Sequence, residues 1–279
     1  MNGPLLAIFA HPDDETFSAA GLMAAAVEAG STVTVLSATR GEAGQSAIPG
    51  LESPAQLGAV REQELRDAMS VLGVSDVRFL DYHDSGLAAE SADPLALTNA
   101  TIADVAAAIG PYIRELRPQT ILTFGPDGIY GHPDHLHIHH AATRAILDAG
   151  TPDTSSLGGA AWQTPALYFA TAPREAMMAM IEHGKDRFDW LSPEMKANLG
   201  TPIAEITHIL DIAPWAERKR QAIYAHQTQT GPGGPLSHLP QEQMDRWLSR
   251  EHFVRASLQW TIQTDVDPVS QLFAAQPKF

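Results

Sequence analysis

A histidine and three acidic residues stand together in Ala10-His11-Pro12-Asp13-Asp14-Glu15, and a second group, Gly131-His132-Pro133-Asp134-His135, follows far downstream. Imidazole nitrogen and carboxylate oxygen are what a divalent metal takes when thiolate is unavailable, and this chain has no cysteine. Two histidines and one carboxylate around a metal, with a position left for water, form a common arrangement for metal-assisted hydrolysis. Adjacent aspartates on a turn point in different directions, so one of Asp13 and Asp14 can join His11 at the metal while the other faces the water. The residue types point to a metal hydrolase.

The second group offers more histidines than one metal needs: His132, His135, His137, His139 and His140. His135 and His139 are spaced i, i+4, which pairs ligands on one helix face. The spacing therefore leaves two arrangements open, His11/Asp14/His135 or a site built on His135 and His139. His137 and His140 point to other faces and read as surface or core residues.

The elements that must hold these residues alternate. Leu5–Ala10 is an apolar run that reads as a strand buried on both faces. Phe17–Ala29 is an Ala-rich helix capped by the motif's aspartates, and Ser31–Thr39 is a β-branched strand. Arg40–Leu57 is a long loop, Gly58–Leu72 an amphipathic helix and Val77–Tyr82 a strand. Leu97–Leu116 is a helix stopped before Pro118. Thr120–Phe124 is a strand, and a Gly-rich loop leads into the helix His135–Leu147. Alternation of this kind implies an α/β, Rossmann-like, mostly parallel sheet with helices on both faces. Ligands of such sheets bind at the carboxyl ends of the strands, where both histidine groups fall.

Beyond about residue 150 the pattern gives strands at Pro165–Ala172 and Ala204–Ile212 and helices at Pro173–Glu182, Pro214–His226 and Gln241–Arg255, with a Gly/Pro-rich loop at Gly231–Pro240. No boundary divides the chain. Residues 1–279 read as one domain, with about 1–150 the core that carries the metal site and about 151–279 completing the sheet and the substrate pocket.

Composition narrows the partners. The chain has 279 residues, 44% of them hydrophobic, with 18 basic against 33 acidic residues and a formal charge of −15. With no Lys/Arg stripe, the balance argues against nucleic acid and anionic membrane surfaces. A metal and one or two arginines can still attract a small anionic substrate. The N-terminus lacks a charged n-region, and no apolar run reaches the roughly 18 residues a membrane span requires. The expected setting is cytoplasmic, with a small-molecule substrate and room for a homo-oligomer.

His-Pro-Asp-Asp-Glu after the first strand and His-Pro-Asp-His after a later one resemble the zinc-dependent N-deacetylases of the PIG-L/LmbE type. That family includes N-acetylglucosaminyl-phosphatidylinositol deacetylase and the deacetylases of mycothiol and bacillithiol synthesis. The resemblance covers roughly residues 5–145 and continues weakly in Lys219-x-x-Ala222-x-x-x-His226-x-x-Gln229. It implies Zn²⁺, or Fe²⁺ or another divalent ion, held by His11, Asp14 and His135. It further implies Asp13 as general base, His132 as the support of the oxyanion and Asp134 as its orienting partner. Tyr130 would lie near the substrate carbonyl, while Arg61 and Asp84 would hold sugar hydroxyls. It gives no role to His226, Gln229 or His139.

The implied chemistry is removal of an acetyl group from an N-acetylated amino sugar. Asp13 takes a proton from water and returns it to the leaving amine, and the oxyanion rests between the metal and a protonated His132. A different amide, such as a thiol conjugate, is the nearest alternative. The same donor set also serves Fe(II) oxygenases, although those usually ride a β-barrel. A nucleotide-binding or sugar-transfer protein is disfavoured because no Gly-rich phosphate loop follows the first strand.

Overall fold

The centre of the molecule is Leu5–Phe9 (β1), apolar and buried at all five positions as a strand covered on both faces must be. The computed structural model describes residues 3–51, 53–87, 91–152, 157–183, 189, 191–231, 241–259 and 267–274. β1 pairs in parallel with Val33–Ser37 (β2) on one side and with Thr120–Phe124 (β4) on the other. Asp76–Phe79 (β3) adds to β2 and Ala166–Thr171 (β5) to β4, both parallel. Arg250–Ala256 (β7) runs antiparallel to β5, and His208–Asp211 (β6) antiparallel to β7. The order is β3-β2-β1-β4-β5-β7-β6. The chain leaves β1 toward β2 and returns later to β4, so a switch point opens at the carboxyl ends of β1 and β4.

The helices are Asp14–Glu28 (α1), Pro54–Leu72 (α2), Ile102–Leu116 (α3), the single turn Gly128–Gly131 (α4), Pro133–Ala149 (α5), Arg174–His183 (α6), Pro193–Ala197 (α7), Ala216–Ala225 (α8), Gln227–Thr230 (α9), Gln241–Ser249 (α10) and Pro268–Ala274 (α11). α1 and α2 pack with α8, while α3 packs along α5. Right-handed crossovers from a switch point send these two groups to opposite faces of the sheet. α1 lies close to the rest of the core: a Cβ on Gly21 would come within 2.6 Å of the Ile212 side chain.

Most of the first 150 residues follow the pattern of the sequence, with shifted ends. α1 starts at Asp14, and Asp13, at its N-cap position, makes no side-chain capping bond. Residues 97–116 divide into a 3₁₀ turn at Leu97–Asn99 and α3, capped by the Thr101 hydroxyl accepting from Asp104 N. Residues 203–205 form a 3₁₀ turn, and only His208–Asp211 is strand.

The larger correction is at 241–255. Helix stops at Ser249, and Arg250–Ala256 is the inner antiparallel strand β7. Its inward Glu251 is 2% exposed and accepts hydrogen bonds from Gly21 N (2.8 Å) and Leu22 N (2.9 Å) in α1 and from Lys219 Nζ (3.0 Å) in α8. The loop expected at 231–240 lies outside the described residues after Gly231.

Candidate metal centre

Four turns at the carboxyl ends of neighbouring parallel strands supply the site. His11, Asp13 and Asp14 follow β1, Gly41 follows β2, Asp84 and Ser85 follow β3, and Tyr130, His132, Asp134 and His135 follow β4. His11, Asp84, His132, Asp134 and His135 are all buried.

His11 stands among three carboxylates, those of Asp14, Asp84 and Asp134. Its Nε2 lies 3.0 Å from Asp134 Oδ2, which can only accept, so Nε2 carries a proton. Its Nδ1 lies 3.4 Å from Asp14 Oδ2, and its backbone N–H donates to the same oxygen at 2.7 Å. Asp14 Oδ1 lies 3.2 Å from His135 Nε2. His135 Nδ1 donates to Gly128 O at 3.1 Å, which fixes the tautomer and turns Nε2 into the site. Among the described residues that Nε2 meets no hydrogen-bond donor, its Asp14 neighbour being an acceptor too, and Phe124 stacks on the ring at 4.0 Å.

Among the described residues, two groups bring three ligand atoms within 4.8 Å of one another, His11, His132 and His135, and His11, Asp84 and Asp134, and Asp14 bridges His11 and His135 at 3.4 and 3.2 Å. Four buried or half-buried carboxylates (Asp13, Asp14, Asp84 and Asp134) meet here with Arg61 as a permanent cation against them. Such an excess of buried negative charge is costly without a further cation. The donor set, the unpartnered His135 Nε2 and the charge imbalance all fit a divalent ion. His139, by contrast, bonds Phe124 O at 2.9 Å and packs on Phe169, so it is not turned toward Asp14 and His11.

The same crowding tunes the site's proton affinities. Burial alone would lower the His11 pKa, but Asp84, Asp134 and Asp14 outweigh it and hold His11 well above the usual imidazole value. Burial would raise Asp14, yet His135 and His11 hold its carboxyl well below the carboxylate range. Asp84 is likewise held low, by His11 and by the Gly86 N–H against the effect of burial. Asp13 is the exception: burial pushes it up to about 6, with the Arg61 guanidinium opposing and Asp14 adding to the rise. Tyr130, half-buried, is pushed well above its ordinary value by burial and by Asp14, so its hydroxyl stays protonated.

His132 departs from expectation. Its Nδ1 accepts the Asp134 backbone N–H at 3.2 Å, capping α5. An imidazolium has no lone pair to accept with, so this geometry requires a neutral ring carrying its proton on Nε2. Burial, then His11 and His135, pushes its pKa down to about 2. The protonated His132 expected from the sequence is replaced by a neutral donor. Asp134 also differs: its carboxylate meets His11 and Ser85 N (3.0 Å), and only its backbone N–H reaches His132.

Arg61 is 3% exposed, and its guanidinium donates to Gly41 O (2.7 Å), Pro12 O (2.7 Å) and Asp13 Oδ2 (3.2 Å). Gly41, at φ 67°, is required there, because a Cβ would come within 2.3 Å of that guanidinium. Arg61 therefore braces the turn that carries Asp13. Asp84 Oδ1 accepts from Gly86 N (2.8 Å) and lies 3.4 Å from His11 Nε2.

Two non-glycine residues at the site hold strained backbone, Asp13 at φ 125° and Ile129 at φ 65°. Each costs on the order of 1–3 kcal/mol, which the surroundings must offset. Asp127 Oδ1 accepts from Ile129 N at 3.0 Å and Gly200 N donates to Ile129 O at 2.7 Å, aiming the following Tyr130 at His135 with ring centroids 5.0 Å apart.

The comparisons agree with this picture. A family model described as GlcNAc-PI de-N-acetylase, PIG-L, matches residues 6–146. The chain is 37% identical over 266 residues to the 1D-myo-inositol 2-acetamido-2-deoxy-alpha-D-glucopyranoside deacetylase of Rhodococcus jostii, covering 90% of each. It is 36% identical over 267 residues to the protein of the same name in Geodermatophilus obscurus, covering 89% of this chain and 90% of the relative. Among solved structures, the N,N'-diacetylchitobiose deacetylase of Pyrococcus horikoshii superposes with TM-score 0.61 at 18% identity, over 91% of this chain and 83% of that one. The 4-carboxy-2-hydroxymuconate hydratase GalB of Pseudomonas putida gives 0.64 at 20% identity, over 94% and 99%. At these identities the structural likeness establishes the fold alone, and one fold carries more than one reaction. The sequence likeness goes further: the chain belongs to the PIG-L, or GlcNAc-PI de-N-acetylase, family.

Proposed function

We propose that the protein is a zinc-dependent N-deacetylase of an N-acetylglucosaminyl glycoside, of the kind named for its inositol-glycoside relatives. The observation that carries this reading is the Asp14 carboxylate placed between His11 and His135, with Asp13 beside it and outside that set. His11 through Nδ1, Asp14 and His135 through Nε2 would hold the ion, while Asp134 and Gly128 O fix the two rings from behind. A divalent ion there supplies a Lewis acid for the amide carbonyl and an acidified water.

The protein's own groups do the rest. Asp13, with its pKa near 6, takes a proton from the attacking water and delivers it to the amine nitrogen, which otherwise leaves poorly. His132, through Nε2–H, and the protonated Tyr130 hydroxyl donate to the developing oxyanion. Arg61 holds Asp13 in place, a positioning role in place of the sugar contact expected from sequence. Asp84 is the proposed contact to a sugar hydroxyl, through the oxygen that Gly86 does not engage.

Metal content tests the ligand set. His11→Ala, Asp14→Ala and His135→Ala are expected to lose stoichiometric zinc, with His132→Ala and His139→Ala keeping it. Loss in His132→Ala with retention in Asp14→Ala would place His132 in the ligand set and exclude Asp14.

A further inference from the structure

Asp13 is held in its strained conformation from several sides, and one of these supports comes from the far end of the chain. Its side chain and the preceding carbonyl are braced by Arg61, and its own carbonyl starts α1 by accepting from Thr16 N (3.0 Å) and Phe17 N (2.9 Å). Its N–H cannot join the helix and donates instead to Glu15 Oε2 at 3.1 Å. Glu15 is 1% exposed. Its other oxygen accepts from the Thr16 hydroxyl and lies 3.5 Å from His226 Nε2, which is also 3.3 Å from Thr16 Oγ1.

His226 is fully buried where the chain turns from α8 into α9, and its backbone is tied on both sides: its N–H donates to Ile223 O, and its carbonyl accepts from Gln229 N and Thr230 N. Its Nδ1 meets no partner among the described residues, so the ring is directed by Nε2 alone. Among the described residues no guanidinium or ammonium bonds Glu15, and a carboxyl group buried this deeply without one is out of place in a helix's first turn unless something requires it there.

We propose that Glu15 and His226 are positioning residues for the general base. Glu15 fixes the Asp13 backbone at positive φ, and His226 fixes Glu15, so that the C-terminal third of the chain sets the reach of the Asp13 carboxylate. The inference rests on the deacetylase reading and adds to it residues that touch neither substrate nor metal. Misplacement of a catalytic group by about 1 Å can cost on the order of 10²-fold in rate.

The test is steady-state deacetylation by the zinc-loaded full chain, with zinc content and thermal melting measured on every variant. Glu15→Ala is expected to lower kcat about 10²-fold with KM within about twofold and zinc retained. Glu15→Gln, which keeps an oxygen to accept the Asp13 N–H, is expected to recover at least tenfold of that loss. His226→Phe, which fills the space without a donor, should lower kcat in the same direction. Its combination with Glu15→Ala should be no slower than Glu15→Ala alone, because both act through one contact. In an Asp13→Ala background, Glu15→Ala should leave the residual rate unchanged.

Wild-type kcat in Glu15→Ala, loss of its zinc, no recovery in Glu15→Gln, additive losses with His226→Phe, or a further drop in the Asp13→Ala background would each overturn the proposal. Should Glu15→Ala fail to fold, Glu15→Gln against His226→Phe carries the same non-additivity test. Absence of deacetylation by the wild-type chain on any N-acetyl sugar would fail the parent reading instead, which separates the two.

Discussion

In the proposed reaction Asp13 and His132 handle protons under opposite constraints. Asp13 must be ionised to act as a base, and burial holds its pKa near 6. Activity is therefore present above that value and lost as pH falls through it. A bound cation favours the carboxylate, so the acid limb of kcat/KM should fall at about 6 or below and never above. Asp13→Asn should keep its metal and lose about 10²–10⁴-fold in kcat. An acid limb that survives in the residual activity of Asp13→Asn would assign it to another group. His132→Ala should lose about 10²–10³-fold, yet keep any alkaline limb, since His132 already works neutral. Disappearance of that limb would mean the ring is protonated after all.

The paired His/Asp motifs were legible because their residue types announce their chemistry. The positioning roles proposed for Arg61 and Glu15 were not. Both depend on the strained backbone at Asp13, which neither composition nor periodicity records.

At the scale of elements, the parallel strands were readable because burial on both faces demands unbroken apolar or β-branched runs, as in Leu5–Phe9 and Thr120–Phe124. β7 hid for a physical reason. α10 passes into it at Ser249–Arg250 without glycine or proline, and one inward position of the strand is the charged Glu251, so the period of two is masked.

That residue carries a stability prediction. Glu251→Ala removes the carboxylate that two α1 N–H groups donate to and leaves the fully buried Lys219 ammonium without its counter-ion, so it should cost about 3–5 kcal/mol in urea unfolding. Lys219→Met should cost less, because the Glu251 carboxylate keeps both backbone donors. The reverse order would show that the ammonium, and not α1, is what Glu251 serves.

For the whole molecule, the fold narrows the site's place more than its reaction. A seven-stranded sheet switching direction between β1 and β4 puts a pocket at their carboxyl ends, and a hydratase shares that architecture. In the reaction proposed above, hydrolysis would be selected by the two-histidine, one-aspartate set together with a separate carboxylate of raised pKa. No described helix is long and apolar enough to cross a membrane.

The most direct measurement is free-amine release from an N-acetylglucosaminyl inositol glycoside by the purified chain, first stripped with a chelator and then reloaded with zinc. The account predicts amine release that vanishes on stripping and returns with about one equivalent of zinc per chain. Amine release undiminished by stripping, or none from any N-acetylated sugar by the zinc-loaded chain, would contradict it.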